Sequence, residues 1–183
     1  MFSRGRPRQL NTEEELYDAA LRALMRRAHS MQEMQKKLSR YTRNELLVRV
    51  VIARLMENGQ LDDERYAQQF TRNRTQSRKQ GQFRIARELR ARGVSDANID
   101  SALESSAAET DQAALVRQRI ERKLKSHRGL RAADPSAGKT IDGRKLASIY
   151  GSLLRAGFPS DLIRRELKRF TREEVPDSES CEE

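Results

Sequence analysis

The chain has no tryptophan, one cysteine in 183 residues, four prolines, and only 5% aromatic residues. The lone cysteine, Cys181, lies in an acidic C-terminal stretch, so a disulfide framework and a thiolate metal cluster are both excluded. No apolar run approaches the ~20 residues of a membrane-spanning helix. The basic stretch Met1 to Arg8 has no apolar segment behind it, which argues against a secretory leader. A cytoplasmic protein with no membrane association is the simplest reading. His29 and His127 are the only histidines, far apart and with no cysteine nearby, so a metal or catalytic role is not indicated and surface or capping roles are expected. No Ser-His-Asp, Cys-His or metal-ligand spacing stands out; the expectation is a non-enzyme with no cofactor.

What is abundant is charge. Lys and Arg number 37 against 27 Asp and Glu, a formal net charge of +10, while hydrophobic residues are 36%. A composition this lean suits small helical modules with thin apolar seams better than one thick core. The positive balance points to a polyanionic partner, either nucleic acid or a nucleoprotein surface.

The periodicity predicts helices throughout. Thr12 to Glu15 and Ser30 to Glu33 fit capping boxes. After the first, Leu16, Ala20, Leu24 and Met25 face inward; after the second, Met31, Met34, Leu38 and Tyr41 do. A third helix from near Asn44 buries Leu47, Val48, Val51, Ile52 and Leu55, and the 3.6-residue spacing overrides its strand-like Val-Val-Ile content. Asn58-Gly59 is a stop signal, and Asp62 can cap the helix that follows. That helix runs from Arg65 to about Arg78, and others cover residues 82–92 and a segment after Ser95. A longer one opens at Thr110 or Asp111. Residues 126–143 read as a loop. Two further helices begin near Arg144 and after Pro159, split by Gly157.

An internal repeat organises these elements. Ile85, Leu89, Gly93, Val94, Ile99 and Leu103 match Ile149, Leu153, Gly157, Phe158, Ile163 and Leu167 without a gap, at a shift of 64 residues. A fainter copy, Met34, Leu38, Val48 and Ile52, lies 51 residues before the first and lacks the glycine. The fold expected is therefore all-α, an elongated array of three tandem three-helix repeats of helix-turn-helix type. A basic arm occupies 1–11; the repeats occupy 12–61, 62–108 and 109–171, the third with the internal loop; an acidic tail occupies 172–183.

Ala133-x4-Gly138-Lys139-Thr140 meets a relaxed phosphate-loop pattern, but no strand precedes it and Ala133 stands in place of the first glycine. Without a strand and a helix start to aim backbone amides at phosphates, the match reads as chance. The basic helix faces are the stronger signal. Lys36, Lys37 and Arg40 fall opposite the second helix's apolar stripe. The run Arg72, Arg74, Arg78, Lys79, Arg84, Arg87, Arg90, Arg92 is interrupted by Glu88 alone, and Arg164, Arg165 and Lys168 face outward on the last helix. A merely solvated face would alternate in sign, whereas this one does not. These cations are the candidate partner- and DNA-binding residues.

Leu61-Asp62-Asp63-Glu64-Arg65-Tyr66-Ala67, followed by Gly81-x2-Arg84-Ile85-x2-Glu88-Leu89-x3-Gly93, resembles the bacterial RecX family of RecA regulators. Ser30-x2-Glu33-x3-Lys37-Leu38 and Arg155-Ala156-Gly157-Phe158 extend the resemblance over roughly residues 14–170. The chain departs from the family at Gln82, where a proline commonly follows the glycine, and in its long 126–143 loop. The resemblance implies tandem three-helix repeats. It also implies binding along the RecA–DNA filament and restraint of RecA ATPase, strand exchange and coprotease activity, with DNA met through or alongside RecA. A monomer is the expected state. The alternative is a general helical DNA-binding protein that acts without RecA.

Overall fold

The computed structural model describes residues 9–128 and 143–173. Among them are nine helices and no strand: α1 (Glu13–Leu24), α2 (Met31–Leu38), α3 (Glu45–Glu57), α4 (Asp63–Gln76), α5 (Gln82–Arg90), α6 (Asp96–Glu109), α7 (Gln112–Arg128), α8 (Gly143–Ala156) and α9 (Ser160–Glu173). They form three successive helix triplets, as the periodicity predicts.

Local chemistry sets most helix starts. The hydroxyls of Thr12 and Ser30 accept the backbone N–H groups of Glu15 and Glu33, the hydroxyl half of each expected capping box, while the Glu33 carboxylate turns to Arg27 and Arg92 instead of reaching back. Asn44 accepts from the Leu47 amide, and Asp62 accepts from both Glu64 and Arg65. Each cap satisfies an N–H that the helix cannot and is worth about 1 kcal/mol. Gly59 closes the chain after α3 with φ +64, and Arg65 reaches back to its carbonyl at 2.6 Å. α4 ends at Gln76, earlier than the pattern suggests, because Lys79 turns to φ 52 and breaks the helical path. α7 continues to Arg128, two residues past the start of the stretch read as loop.

Contacts divide the chain into two compact units. The first joins residues 1–72 with 86–105, and the second joins 73–85 with 106–183. The helices α4, α5 and α6 each contribute to both. The core of the first unit contains Leu16, Ala20, Met34, Leu38, Val48, Val51, Ile52, Leu55 and Leu61. The core of the second contains Leu115, Val116, Ile120, Ile149, Leu153, Phe158, Leu162 and Ile163. Each large side chain fully withdrawn from water contributes about 1.5–3 kcal/mol. Two expected core residues lie outside: Met25 is 86% exposed, just past the end of α1, and Met31 opens α2 at the surface.

The repeat expresses itself as one joint made twice, once inside each unit. In the first unit the α5–α6 turn sits on the start of α2. Ser30 donates to the Arg92 carbonyl at 2.6 Å, and the Asp63 carboxylate accepts the Met31 N–H at 2.7 Å. In the second unit the α8–α9 turn sits on the start of α5. Here Gly81 and Phe83 donate their N–H groups to the carbonyls of Ala156 and Gly157, at 2.8 and 3.0 Å. In both joints a glycine in the left-handed region, Gly93 (φ +75) or Gly157 (φ +90), lies where a Cβ would strike the facing helix. The matching glycines of the sequence repeat are therefore matching contact points.

Candidate nucleic-acid interface

In the first unit, α2 buries Met34 and Leu38, which turns Lys36 and Arg40 to solvent. Lys36 donates to Gln32 one turn back at 2.8 Å. Lys37 is half-buried and lines an open cavity of about 400 Å³ with Arg22 and Arg26, together with the carboxylates of Glu15 and Asp18. Arg72 is exposed at the end of this unit's part of α4. Arg87 and Arg90 are exposed on α5, where Ile85, Ala86 and Leu89 occupy the inner side. Arg90 pairs with Asp96 at 2.7 Å, both side chains being more than half exposed. Such a pair contributes about 0–1 kcal/mol.

The second unit holds Arg74, Arg78, Lys79, Arg84, Arg164, Arg165 and Lys168. Arg78 is exposed, while Arg74, Lys79 and Arg84 are half-buried. Arg84 belongs partly to the joint: its backbone and Cβ face Gly157, and its guanidinium lies 3.4 Å from the Arg155 carbonyl. On α9, Leu162 and Ile163 point inward, so Arg164, Arg165 and Lys168 emerge on the exposed side. Arg165 stays 3.6 Å from Glu166.

Sequence alone does not separate these surface cations from cations the fold uses internally. Glu33 sits between Arg27 at 2.7 Å and Arg92 at 3.6 Å, and Arg92 also lies 4.7 Å from the centre of the Phe70 ring. Burial pushes the Glu33 carboxyl up, but the Arg27 hydrogen bond and the charges of Arg27 and Arg92 outweigh it and hold it below its ordinary value. In the second unit Glu166 is only 1% exposed and is met by Arg117 at 3.2 Å and Arg169 at 3.6 Å. Arg119 donates to the Arg78 carbonyl at 2.9 Å; burial, followed by the nearby charges of Arg122 and Arg84, lowers its pKa. Arg27, Arg92, Arg117 and Arg119 are thus structural cations. The sequence signal for Glu33 was its place in a capping box. Its arginine partners are set by tertiary packing, and Arg92 comes from a different triplet.

His29 also differs from expectation. It is buried, with 6% exposure, and its Nδ1 lies 2.9 Å from the Arg27 carbonyl. Burial, then the Arg27 charge, pushes its pKa down, so the neutral ring is favoured. The side chain of His127 and the phosphate-loop-like run 133–140 lie outside the described residues, as do the arm before residue 9 and the tail after 173.

Among the described residues there is no group of three metal-ligating side chains and no helix long and apolar enough to cross a membrane. Three successive helix triplets define an all-α helical-repeat protein. Comparison with known proteins narrows the class. Residues 62–103 match the family described as RecX, second three-helix domain. A regulatory protein RecX of Halorhodospira halophila is 40% identical over 82% of this chain and 85% of its own length. One from Trichlorobacter lovleyi is 33% identical over 85% and 95%. The crystal structure of RecX from Lactobacillus salivarius superposes with a TM-score of 0.71, at 22% identity, covering 86% of this chain and 95% of that one. The chain belongs to the RecX family.

Proposed function

We propose that this protein binds the RecA–DNA filament and restrains its ATPase, strand-exchange and coprotease activities. The binding groups are the outward cations of α2, α4, α5 and α9, and the working modules are the three repeats at 12–61, 62–108 and 109–171. Family membership supports the partner. The single observation that supports the mode is the exposure of Lys36, Arg72, Arg87, Arg90, Arg164, Arg165 and Lys168 on helix sides turned away from the cores, with Arg40 and Arg78 exposed in the turns that follow α2 and α4. Phosphates or acidic protein surface would meet those cations without any reacting group, so the role is regulatory rather than enzymatic. The reading puts the protein in the cytoplasm as a monomer.

Adding the protein to RecA on single-stranded DNA should lower ATP hydrolysis at substoichiometric amounts. Replacing Arg87 and Arg90 with alanine should weaken filament binding, and each lost phosphate contact would reduce the salt dependence of binding by about one ion's worth. No change in either ATPase or filament length would sink the proposal. DNA affinity equally strong with and without RecA would favour a general DNA-binding protein instead.

A further inference from the structure

Aromatic residues are scarce in this chain, and among the exposed large apolar side chains of the described residues Phe83 alone carries a ring. It is 60% exposed. An isolated surface phenylalanine is ordinary. Its setting on α5 is not.

The helix α5 buries Ile85, Ala86 and Leu89. At about 100° per residue, Phe83, Arg87 and Arg90 fall within about 60° of one another, on a side centred about 120° round the helix from that stripe. Along the axis the two arginines follow the ring by about 6 and 10.5 Å, at 1.5 Å per residue. These spacings are internal to one continuous helix. Arg87 and Arg90 are exposed, Arg90 holding Asp96 in a solvent-facing pair. Glu88, the carboxylate on this helix, points well away from the line and is half-buried. The ring also has a firm base. The Phe83 N–H is bound to the Gly157 carbonyl at 3.0 Å, and the N–H of Gly81, two residues earlier, to the Ala156 carbonyl at 2.8 Å. Displaying an apolar ring to water on a braced helix start contributes little to folding.

We infer that Phe83 is a stacking platform for an unpaired base of single-stranded nucleic acid, with Arg87 and Arg90 receiving the neighbouring phosphates. The inference rests on the reading of α5 as a polyanion-binding face, and it specifies the class of strand. A single strand offers open π-faces beside its phosphates, and every base has one, so the contact tolerates any sequence. A duplex keeps its bases stacked on each other and can use the arginines but not the ring. One side of α5 therefore carries both a strand-independent electrostatic contact and a contact selective for unpaired bases.

The test needs no RecA, so its outcome is separate from that of the filament proposal. Binding of the full chain to a labelled oligothymidylate and to a duplex of the same length is measured by fluorescence anisotropy. Phe83→Ala should weaken single-strand binding by about 5- to 150-fold, the range for losing one base-on-ring stack. It should leave duplex affinity unchanged. Phe83→Tyr, which keeps the ring, should bind like the parent. Arg87→Ala should weaken both ligands and lower the salt slope by about one. The inference is overturned if the parent does not bind the oligothymidylate, if Phe83→Ala binds it normally, or if that variant loses both ligands equally.

Discussion

Replacing Gly157 with alanine tests whether the joint depends on a backbone conformation, on a close contact, or on both. Gly157 has φ +90, a region an L side chain enters at a cost of about 1–2 kcal/mol. A Cβ there would also meet the backbone and Cβ of Arg84, which cannot swing aside as a flexible side-chain end could. Forcing that overlap costs typically 1–3 kcal/mol. The two effects together predict a loss of about 2–5 kcal/mol. Two other glycines separate them. Gly59 has φ +64 with nothing near its missing Cβ, so Gly59→Ala carries the conformational cost alone. Gly81 is not in the left-handed region, but a Cβ there would strike the Gly157 carbonyl and the Phe158 N, so Gly81→Ala carries the contact cost alone. Urea unfolding followed by far-UV circular dichroism gives the three free energies from their midpoints and slopes. The expected order is Gly157→Ala most destabilised, with Gly59→Ala near 1–2 kcal/mol. If Gly157→Ala costs no more than Gly59→Ala, the α8–α9 turn does not press on α5 and the joint is misread.

Two further outcomes follow from the ionic contacts of the first unit. Glu33 is held below its ordinary pKa, so it adds stability that is fully present above the unfolded value of about 4.3 and is lost as pH falls through the folded one. Glu33→Gln should cost about 1 kcal/mol at neutral pH and nothing well below that range, as read by urea unfolding across pH. Asp63 is shifted the other way: burial raises its pKa, and its Oδ1 accepts the Met31 N–H. Asp63→Asn keeps an acceptor without a charge and should be neutral or slightly stabilising at pH 7. Asp63→Ala orphans the amide and should cost about 1 kcal/mol or more in the same assay.

What could be read from the chain beforehand divides by the range of the interaction. Thr12, Ser30 and Asp62 announce their helices because a cap is a bond between residues two or three apart. The stripes Val48, Val51, Ile52, Leu55 and Leu162, Ile163 are equally local, set by 3.6-residue spacing. Met25 and Met31 defeat the same rule because each lies at a helix end, where periodicity continues but the neighbouring helix no longer covers it. The cations were legible only as a population. Nothing near Arg92 in sequence reveals that it turns toward Glu33 and Phe70, and nothing near Arg119 reveals the Arg78 carbonyl. Separating surface cations from internal ones requires the tertiary partners, and so does recognising that Phe83, an apolar residue at a helix start, is left uncovered.

The faint first copy of the repeat clarifies what the glycine is for. The position matching Gly93 and Gly157 is Thr42, in the α2–α3 turn. It does not take positive φ, and its hydroxyl accepts the Asn44 N–H at 3.2 Å, a contact within its own turn. If the glycine served only to end the second helix of a triplet, the first triplet would have equal use for it. The first triplet ends that helix with Ser39 instead, a residue in the right-handed region. Among the described residues no helix precedes α1, and none of the described helices meets the α2–α3 turn as α2 and α5 meet the later two. Gly93 has the start of α2 to approach, and Gly157 the start of α5. The glycine therefore marks a turn that docks on the preceding triplet, and its absence at position 42 marks the triplet with which the described series of joints begins.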